Sequence, residues 1–338
     1  MAEPQKNSFD LLRLIAATFV LFSHEFAILG TGQPEVFAWT TLGGFGVSIF
    51  FFLSGFLVWT SWAQDPDLKR FFIRRSLRIF PALWVAVLLC LLILGLFQSS
   101  LSVVDYFESA TTWRYLFAGV FGTPNELPGV FVQNPLPSVV NGSLWTLRVE
   151  CLCYVSVALL GSIGLVSKNG LMALSLGLAV LAAAYGSLLV GVRFIPHLEM
   201  VSLFWWGVMY GYVRAQPAAQ SNRWAVAIVV ALLAFLLLGT RGVERTGILV
   251  LVAALVMAAQ HAPWGARLTD RLGDLSYGMY IFAFPVQQTV VALGRSRGWT
   301  FLTHVTLSLL ITSVLAYVSW HALEKRALRF KPKSRSLA

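Results

Sequence analysis

FDLLRLIAATFVLFSHEFAILG, residues 9–30, is an apolar run of membrane-spanning length that carries Arg13 and His24. A spanning helix needs about 20 residues, and an ionisable side chain inside one is costly unless it faces protein or water. The two residues are eleven positions apart, close to three helical turns, so they share one helix face about 16 Å apart along the axis. The run therefore predicts a membrane helix with polar chemistry along one face.

The whole chain has the composition of a polytopic membrane protein. Of its 338 residues, 57% are hydrophobic and 12% are charged, whereas about 25% are charged in a soluble domain. The net charge of +10 could suggest a nucleic-acid partner, but the basic residues lie between apolar runs and form no continuous patch. We therefore expect a lipid bilayer around the chain and no nucleic-acid partner.

Apolar runs of spanning length predict an all-α protein with about ten transmembrane helices. The sixth to eighth runs are short or weakly bounded, so nine or eleven helices are also compatible with the pattern. We predict a membrane domain over residues 1–325 and a basic cytoplasmic tail over residues 326–338. The runs are residues 9–30, 42–62, 76–97, 144–166, 171–191, 200–213, 224–239, 246–260, 272–293 and 300–323.

The basic residues predict the orientation of the helices. With the N-terminus inside, most of the 25 lysines and arginines fall on the cytoplasmic side, as the positive-inside rule requires. This predicts cytoplasmic N- and C-termini. The long connection, residues 98–143, then lies outside, and loops of this length are usually functional or disordered.

His24 is the candidate general base. A neutral imidazole can take a proton from a hydroxyl group that attacks an acyl group. The alternative is a histidine that only bonds a neighbouring helix, and we favour catalysis because Arg13 shares its face. Glu25 follows directly and is expected to face the outer interface. Glu150 lies near the outer end of the fourth run at a matching depth, so its carboxylate can orient the imidazole.

Arginines mark a second candidate site at the cytoplasmic end. Arg13 lies about one turn inside its helix, where a guanidinium can bind a phosphate or reach the lipid headgroups. Arg70, Arg74 and Arg78 recur every four residues, and Arg75 joins Arg78, so a helix would align them as one cationic ridge. Such a ridge suits a coenzyme A or a nucleotide. Anionic lipid and an ordinary positive-inside anchor are the alternatives.

Other residues have structural or substrate-binding interpretations. The glycines of residues 43–55 predict close helix packing, and Ser143 is a candidate N-cap for the fourth spanning helix. We select Trp145, Arg148 and Tyr277 as candidate substrate-binding residues. The three cysteines lie in apolar stretches as small hydrophobic side chains, and we expect no metal site.

Six motifs occur along the chain: Arg13 with His24, FFFLSGFLV from Phe50, RRSLRIFPALW from Arg74, SLWTLRVE from Ser143, LSYGMYI from Leu275, and Glu324 with Lys325. In this order they resemble acyltransferase family 3, integral membrane enzymes that O-acylate sugars and other hydroxyl compounds. The resemblance implies an acyl donor, commonly acetyl-coenzyme A, at the cytoplasmic face and a glycan acceptor at the outer face. With this resemblance we expect the protein in a bacterial-type inner (plasma) membrane.

The resemblance also implies roles for individual residues. Arg13 and His24 correspond to the family's Arg-and-His pair, Glu150 corresponds to its helix-start acid, and its basic motif falls on Arg74, Arg75 and Arg78. Two departures occur near the C-terminus. Phe284 precedes Pro285 where the family often has a histidine, and Arg326 follows Lys325 where it often has a proline. The departures predict that these C-terminal motifs contribute packing alone.

Three functions are compatible with this sequence. The first is an O-acyltransferase that moves an acyl group, chiefly acetyl, from cytoplasmic acyl-coenzyme A to a hydroxyl of an extracytoplasmic or lipid-linked glycan. The second is a transporter of a small anion or lipid-linked sugar, since buried charges also mark conduction paths. The third is a non-catalytic lipid or assembly factor. We favour the enzyme, because no paired repeats with matching broken helices are visible in the sequence.

Overall fold

The computed structural model describes residues 7–120, 125–164, 174–175, 197–217, 240–263 and 265–333, and these residues are mostly helical. Turns of π-helix lie at Cys90–Leu94 and Trp320–Glu324, and turns of 3-10 helix at Tyr115–Phe117, Arg295–Arg297 and Leu328–Phe330. The α-helices are α1 (Phe9–Ile28), α2 (Leu42–Gln64), α3 (Leu68–Leu89), α4 (Gly95–Gln98), α5 (Val103–Glu108), α6 (Ala110–Arg114), α7 (Trp145–Ser162), α8 (Leu198–Arg214), α9 (Thr240–His261), α10 (Ala266–Leu272), α11 (Ser276–Gly294), α12 (Phe301–Ser319) and α13 (Lys325–Ala327).

Six helical stretches in the described ranges are long and apolar enough to cross a membrane. They match six of the predicted runs, and the chain is a multi-pass membrane protein. The predicted runs at 171–191 and 224–239 lie outside the described residues, apart from 174–175, so the count of ten stays a prediction. The six stretches are Phe9–Ile28, Leu42–Gln64, Leu68–Gln98, Trp145–Ser162, Val243–His261 and Phe301–Phe330.

A small antiparallel hairpin between α1 and α2 departs from the all-α prediction. Strand β1 (Glu35–Val36) pairs with β2 (Thr40–Thr41). The turn residues Phe37 and Ala38 have φ angles of 53° and 58°, a left-handed combination usually taken by Asn and Gly. Because Phe and Ala carry no turn signal, periodicity alone could not predict this hairpin.

The third predicted span begins earlier than expected and contains a π-helical turn. Asp67 Oδ1 accepts a hydrogen bond from the Arg70 backbone N–H at 2.8 Å, so an N-cap starts α3 at Leu68. Further along, the Tyr106 hydroxyl donates to the Leu91 carbonyl oxygen at 2.9 Å. A Cβ at Gly95 would overlap the Tyr106 side chain. The inserted hydroxyl and the small residue together explain the π-turn.

The chain divides into two compact units, each built from segments distant in sequence. The first comprises Met1–Gly46, Ile73–Arg148 and Pro263–Pro332, and the second comprises Val47–Phe72, Val149–Ala262 and Lys333–Ala338.

The first unit is centred on α1, α11 and α12, which pack along one another. A Cβ at Gly278 of α11 would lie 2.8 Å from the Ala316 Cα of α12, so these two backbones are close. Phe22 of α1 meets Phe301 of α12 edge to face, with ring centroids 6.0 Å apart. This packing places the face of α1 that carries polar residues beside α11.

The second unit contains a close contact between α2 and α8. A Cβ at Gly55 would overlap the Phe204 carbonyl oxygen, and a Cβ at Gly207 would overlap the Phe52 carbonyl oxygen. Small residues let membrane helices approach closely. The packing interpretation of the glycines is confirmed at Gly55.

Candidate functional site

Asp274 lies between α10 and α11 and binds two of the predicted arginines. Arg78 Nη2 donates to Asp274 Oδ2 at 2.5 Å, and Arg13 Nη1 lies 3.5 Å from the same oxygen. The hydroxyl of Ser276 donates to Asp274 Oδ1 at 2.6 Å. Burial acts to raise the pKa of Asp274, but the two guanidiniums and the hydroxyl outweigh it and lower the pKa to about 2. Asp274 is therefore an ionised anchor for α1 and α3.

Lys331 brings a fifth basic side chain to this place. It follows the last 3-10 turn, in the segment predicted to be a basic tail. The positive charges of Arg78, Arg75, Arg13 and Arg74 all act on it. Desolvation and these four charges lower the pKa of Lys331 to about 8. We call these five residues the basic cluster.

Three acidic side chains lie beside the basic cluster within the described part of the first unit. Arg13 Nη1 donates to Asp10 Oδ1 at 3.1 Å, and Asp274 holds Arg78. Glu324 is buried, accepts a hydrogen bond from Ser319 Oγ at 2.8 Å and acts electrostatically on Arg78. The cluster brings four guanidinium groups and one ammonium group together, and such a concentration of basic groups fits an anionic ligand.

Arg70 is bound by acids in the second unit. Its Nε and Nη2 donate to the two carboxylate oxygens of Asp65 at 2.8 Å and 2.5 Å, and its Nη1 lies 3.3 Å from Asp67. The three arginines of the predicted ridge share one continuous helix, but the charge of Arg70 is neutralised by these two acids. Helical spacing could not reveal this, because the neutralising acids precede α3 and are not on it.

His24 lies in the last two turns of α1, on the same unbroken helix as Arg13. Its half-buried imidazole packs against the Phe284 ring of α11, with ring centroids 5.2 Å apart and an interplanar angle of 75°. Nδ1 is buried and has no hydrogen-bond partner among the described residues. An imidazole nitrogen without a partner is able to accept a proton.

Glu25 has a structural environment that the sequence did not predict. The expectation that it faces the outer interface is wrong, because the side chain is fully buried. Glu25 Oε2 accepts a hydrogen bond from Gln287 Nε2 at 2.7 Å, and the same amide donates to the Leu21 carbonyl oxygen at 2.8 Å. The side chain of Glu25 thus links α1 to α11, where a second helix satisfies a polar group that lipid could not.

Glu150 belongs to the second unit, where two hydroxyl groups bind it. Ser54 Oγ donates to Glu150 Oε1 at 3.0 Å, and the Tyr154 hydroxyl donates to the same oxygen. Ser54 comes from the FFFLSGFLV stretch, so this contact joins two of the motifs found in the sequence. The proximity of Glu150 to His24 stays a prediction.

The other predicted substrate-binding residues have different surroundings. Trp145 is half-buried at the start of α7, and Arg148 is exposed one turn later. The Tyr277 hydroxyl donates to the Ile79 carbonyl oxygen at 2.8 Å, and the Arg78 guanidinium carbon lies 6.0 Å from the Tyr277 ring centroid. Tyr277 is therefore next to the basic cluster.

The loop before α7 does not provide the predicted cap. Helix α7 begins at Trp145, and Ser143 Oγ has no hydrogen-bond partner in the described part of the chain. The capping prediction for Ser143 is wrong, because its backbone carbonyl carries the contacts instead: it accepts from the Thr146 hydroxyl at 3.2 Å and from the Tyr280 hydroxyl at 3.0 Å.

Three residues of this region were missed by the sequence analysis. Asp274 directly precedes the LSYGMYI motif. Glu324 belongs to a motif that was expected to contribute packing alone, and Lys331 was grouped with a basic tail. The only signal for them was a charge beside an apolar run. Within the described ranges, no group of three or more His, Cys, Asp or Glu side chains is placed to hold a metal ion.

Comparison with known proteins gives matches over nearly the whole chain. An O-acetyl transferase of Shigella phage Sf6 is 31% identical over 346 residues, covering 97% of this chain and 98% of that protein. Nodulation protein 10 of Rhizobium leguminosarum bv. viciae is 30% identical, covering 96% of this chain and 94% of that protein. Peptidoglycan O-acetyltransferase OatA of Listeria monocytogenes is 29% identical over 155 residues, covering 42% of this chain and 22% of that protein.

No solved structure matches the chain. A family model described as an acyltransferase domain matches residues 6–321 and so includes the basic cluster up to Arg78, together with His24, Glu150 and Asp274. The chain belongs to this acyltransferase family and is an acyltransferase.

Proposed function

We propose that this protein O-acetylates a glycan, taking the acetyl group from cytoplasmic acetyl-coenzyme A and delivering it to a hydroxyl of an extracytoplasmic or lipid-linked saccharide. The observation that carries the proposal is that the two ends of α1 carry different chemical groups. Arg13 at one end belongs to the basic cluster, and His24 at the other end has a buried Nδ1 without a hydrogen-bond partner among the described residues. The names of the relatives, O-acetyl transferase and peptidoglycan O-acetyltransferase, support acetyl as the group and a glycan as the acceptor.

The basic cluster is the proposed site for the phosphates of the donor. Arg74, Arg75 and Arg78 on α3 face Arg13 and Lys331. Guanidinium groups bind phosphate oxygens through charge-assisted, often bidentate, hydrogen bonds. Asp274 takes up part of the charge and holds two arginines in place. Several guanidinium groups in one place suit a ligand with several phosphates.

His24 is the proposed general base. Its imidazole removes the proton from the acceptor hydroxyl as the oxygen bonds to the thioester carbonyl carbon. The carbon–sulfur bond breaks, and the proton passes to the departing coenzyme A thiolate, so one ester and one thiol form from one alcohol and one thioester. Glu150 is the proposed partner that orients the imidazole. Arg13 stabilises charge at the donor end of the same helix.

Acceptor and membrane placement complete the proposal. Trp145 and Arg148 at the start of α7 bind the saccharide, and Tyr277 lines the donor side beside Arg78. With ten transmembrane helices and both termini in the cytoplasm, the basic cluster lies at the cytoplasmic face of an inner membrane and His24 lies in the outer half of that membrane. The membrane domain spans residues 1–325, followed by a basic tail over residues 326–338.

Purified protein in detergent with acetyl-labelled acetyl-coenzyme A provides the direct test. The enzyme releases coenzyme A in step with labelled acceptor when a crude membrane glycan fraction is added. A transporter would move label across a reconstituted vesicle and release no coenzyme A, and an assembly factor would do neither. Failure of the wild-type protein to form labelled glycan, with a donor that binds, would overturn the proposal.

A further inference from the structure

A proline interrupts the hydrogen bonding of α11 close to His24. Pro285 lies inside this helix and has no backbone N–H, so the carbonyl oxygen of Ile281, four residues earlier, loses its helical partner. The side chain of Asn141 replaces that partner, because its Nδ2 donates to the Ile281 oxygen at 2.9 Å. Both residues are buried. An unsatisfied carbonyl would be costly here, because a buried polar group loses its hydrogen bonds to water.

The other end of the same amide shapes the loop that precedes α7. Asn141 Oδ1 accepts a hydrogen bond from the Ser143 backbone N–H at 3.2 Å. The Tyr280 hydroxyl lies 2.6 Å from the Thr146 hydroxyl and also reaches the Ser143 carbonyl. Asn141 is thus the centre of a hydrogen-bonded junction between this loop and the turn of α11 that precedes Pro285.

Gly142 brings the loop into contact with the residue that packs on His24. A Cβ at Gly142 would lie 2.7 Å from Cε2 of the Phe284 ring, closer than side-chain carbons approach one another. The ring of Phe284 meets the His24 imidazole edge to face. Any larger residue at position 142 would displace the Phe284 ring, and a displaced ring would change its contact with the His24 imidazole.

We infer that Asn141 and Gly142 are positioning residues for acyl transfer: they hold the Ile281 carbonyl that Pro285 leaves without a helical partner and the Phe284 ring, and through that ring they fix the His24 imidazole. The inference rests on the proposed role of His24 as the base. Asn141 and Gly142 themselves touch neither donor nor acceptor. Because misplacing a reacting group by about 1 Å can cost about 100-fold in rate, their effect belongs in kcat.

Asn141→Ala tests the carbonyl contact. We expect kcat to fall by about 10-fold to 100-fold while the KM for acetyl-coenzyme A changes less than about threefold, because the basic cluster is untouched. Asn141→Asp keeps the oxygen that serves Ser143 but loses the N–H donor, so it should be at least as impaired. Thr289→Val is the matched control, because it removes a different side-chain hydrogen bond to a backbone carbonyl of α11, from the Thr289 hydroxyl to the Pro285 carbonyl at 2.7 Å. We expect its kcat within about threefold of wild type.

Pro285→Ala supplies the decisive rescue. Alanine restores a backbone N–H that can bond the Ile281 carbonyl, which makes the Nδ2 donor of Asn141 dispensable, whereas the Ser143 contact of Oδ1 is lost in both backgrounds. The loss of kcat caused by Asn141→Ala should therefore be at least about threefold smaller in the Pro285→Ala background than in wild type. If Asn141 bound the acceptor directly, the two losses would be equal, and the positioning role would be refuted.

Gly142→Ala gives an independent test should the Asn141 variants fail to insert. It should lower kcat, and Phe284→Leu should recover part of the activity in the double variant because it removes the overlapping ring atoms. Loss of activity in His24→Ala with normal kcat in Asn141→Ala and Gly142→Ala would overturn this inference and leave the proposed function standing. An active His24→Ala variant would overturn the proposed function itself.

Discussion

Arg78 Nη2 lies 2.5 Å from Asp274 Oδ2, and this buried ion pair ties α3 to the segment that precedes α11. Arg13 reaches the same oxygen from α1. One carboxylate therefore fixes two guanidiniums from two different helices. Such an anchor orients cationic side chains before a ligand arrives, which lowers the ordering cost of binding.

Replacing Asp274 with Asn should remove an acid-dependent part of the stability. The folded pKa of about 2 lies below the ordinary value of 3.8. The stabilisation is therefore present above about pH 4 and lost as the pH falls through about 2. The difference corresponds to about 2 kcal/mol in the free energy of unfolding. Thermal melting of detergent-solubilised protein between about pH 5 and about pH 2 measures this effect. If the melting temperature of Asp274→Asn fell with decreasing pH as much as that of wild type, the prediction would be contradicted.

Replacing His24 with Ala should reduce acyl transfer by about 100-fold or more, the usual contribution of a general base. Membrane insertion and thermal melting should stay normal, because the role assigned to the side chain is proton removal. His304→Ala is the matched control, since His304 is another histidine of the first unit whose Nδ1 is buried and has no hydrogen-bond partner among the described residues. A loss below about tenfold in His24→Ala, measured as coenzyme A release, would exclude a general base.

Ala substitution of Arg74, Arg75 or Arg78 should weaken acetyl-coenzyme A binding, with a salt dependence smaller than that of wild type, because a phosphate contact is lost. Lys at these positions should rescue only partly, since it lacks the bidentate fork. Arg70→Ala is the matched control on the same helix, as Asp65 already binds that guanidinium. Isothermal titration calorimetry measures the affinities. Normal binding in all three variants would show that these arginines only orient the helix in the membrane and do not bind the donor.

The lowered pKa of Lys331 predicts that the protein takes up a proton when the donor binds. Its pKa of about 8 in the free protein should rise when phosphate dianions enter the basic cluster, because they stabilise the charged form. Affinity for acetyl-coenzyme A should therefore fall as the pH rises from about 7 to about 9. Lys331→Met should bind more weakly at about pH 7 and lose this pH dependence, whereas Lys333→Met should retain it. Calorimetry in buffers of different ionisation enthalpy measures proton uptake, and none in wild type would contradict the prediction.

Alanine at Gly55 or Gly207 should destabilise the contact between α2 and α8. The new Cβ would overlap a backbone carbonyl oxygen in each case, and backbone cannot yield as a side-chain end can. Overpacking of this kind costs about 1–3 kcal/mol, occasionally more. Gly32→Ala is the control, because nothing lies within 4 Å of its added Cβ. Melting temperatures of the three variants decide this, and equal values would contradict it.

The amino-acid sequence determined the features that depend on local properties. Apolar length defined the six described spans, because hydrocarbon selects continuous hydrophobic stretches whatever their partners. The eleven-residue separation placed Arg13 and His24 on one helix, and α1 is unbroken between them. The order of the motifs identified the family, since that information is also linear.

The tertiary structure decided which of these residues meet. Lys331 joins Arg13 from the far end of the chain, Asp274 pairs with Arg78, and an acid just outside α3 neutralises Arg70. From the loop before α7, Asn141 bonds the Ile281 carbonyl of α11, which Pro285 leaves without a helical partner. Periodicity describes the face of a single helix, whereas these contacts depend on how helices dock and on where each buried polar group finds a partner, and that is settled only when the whole unit has packed.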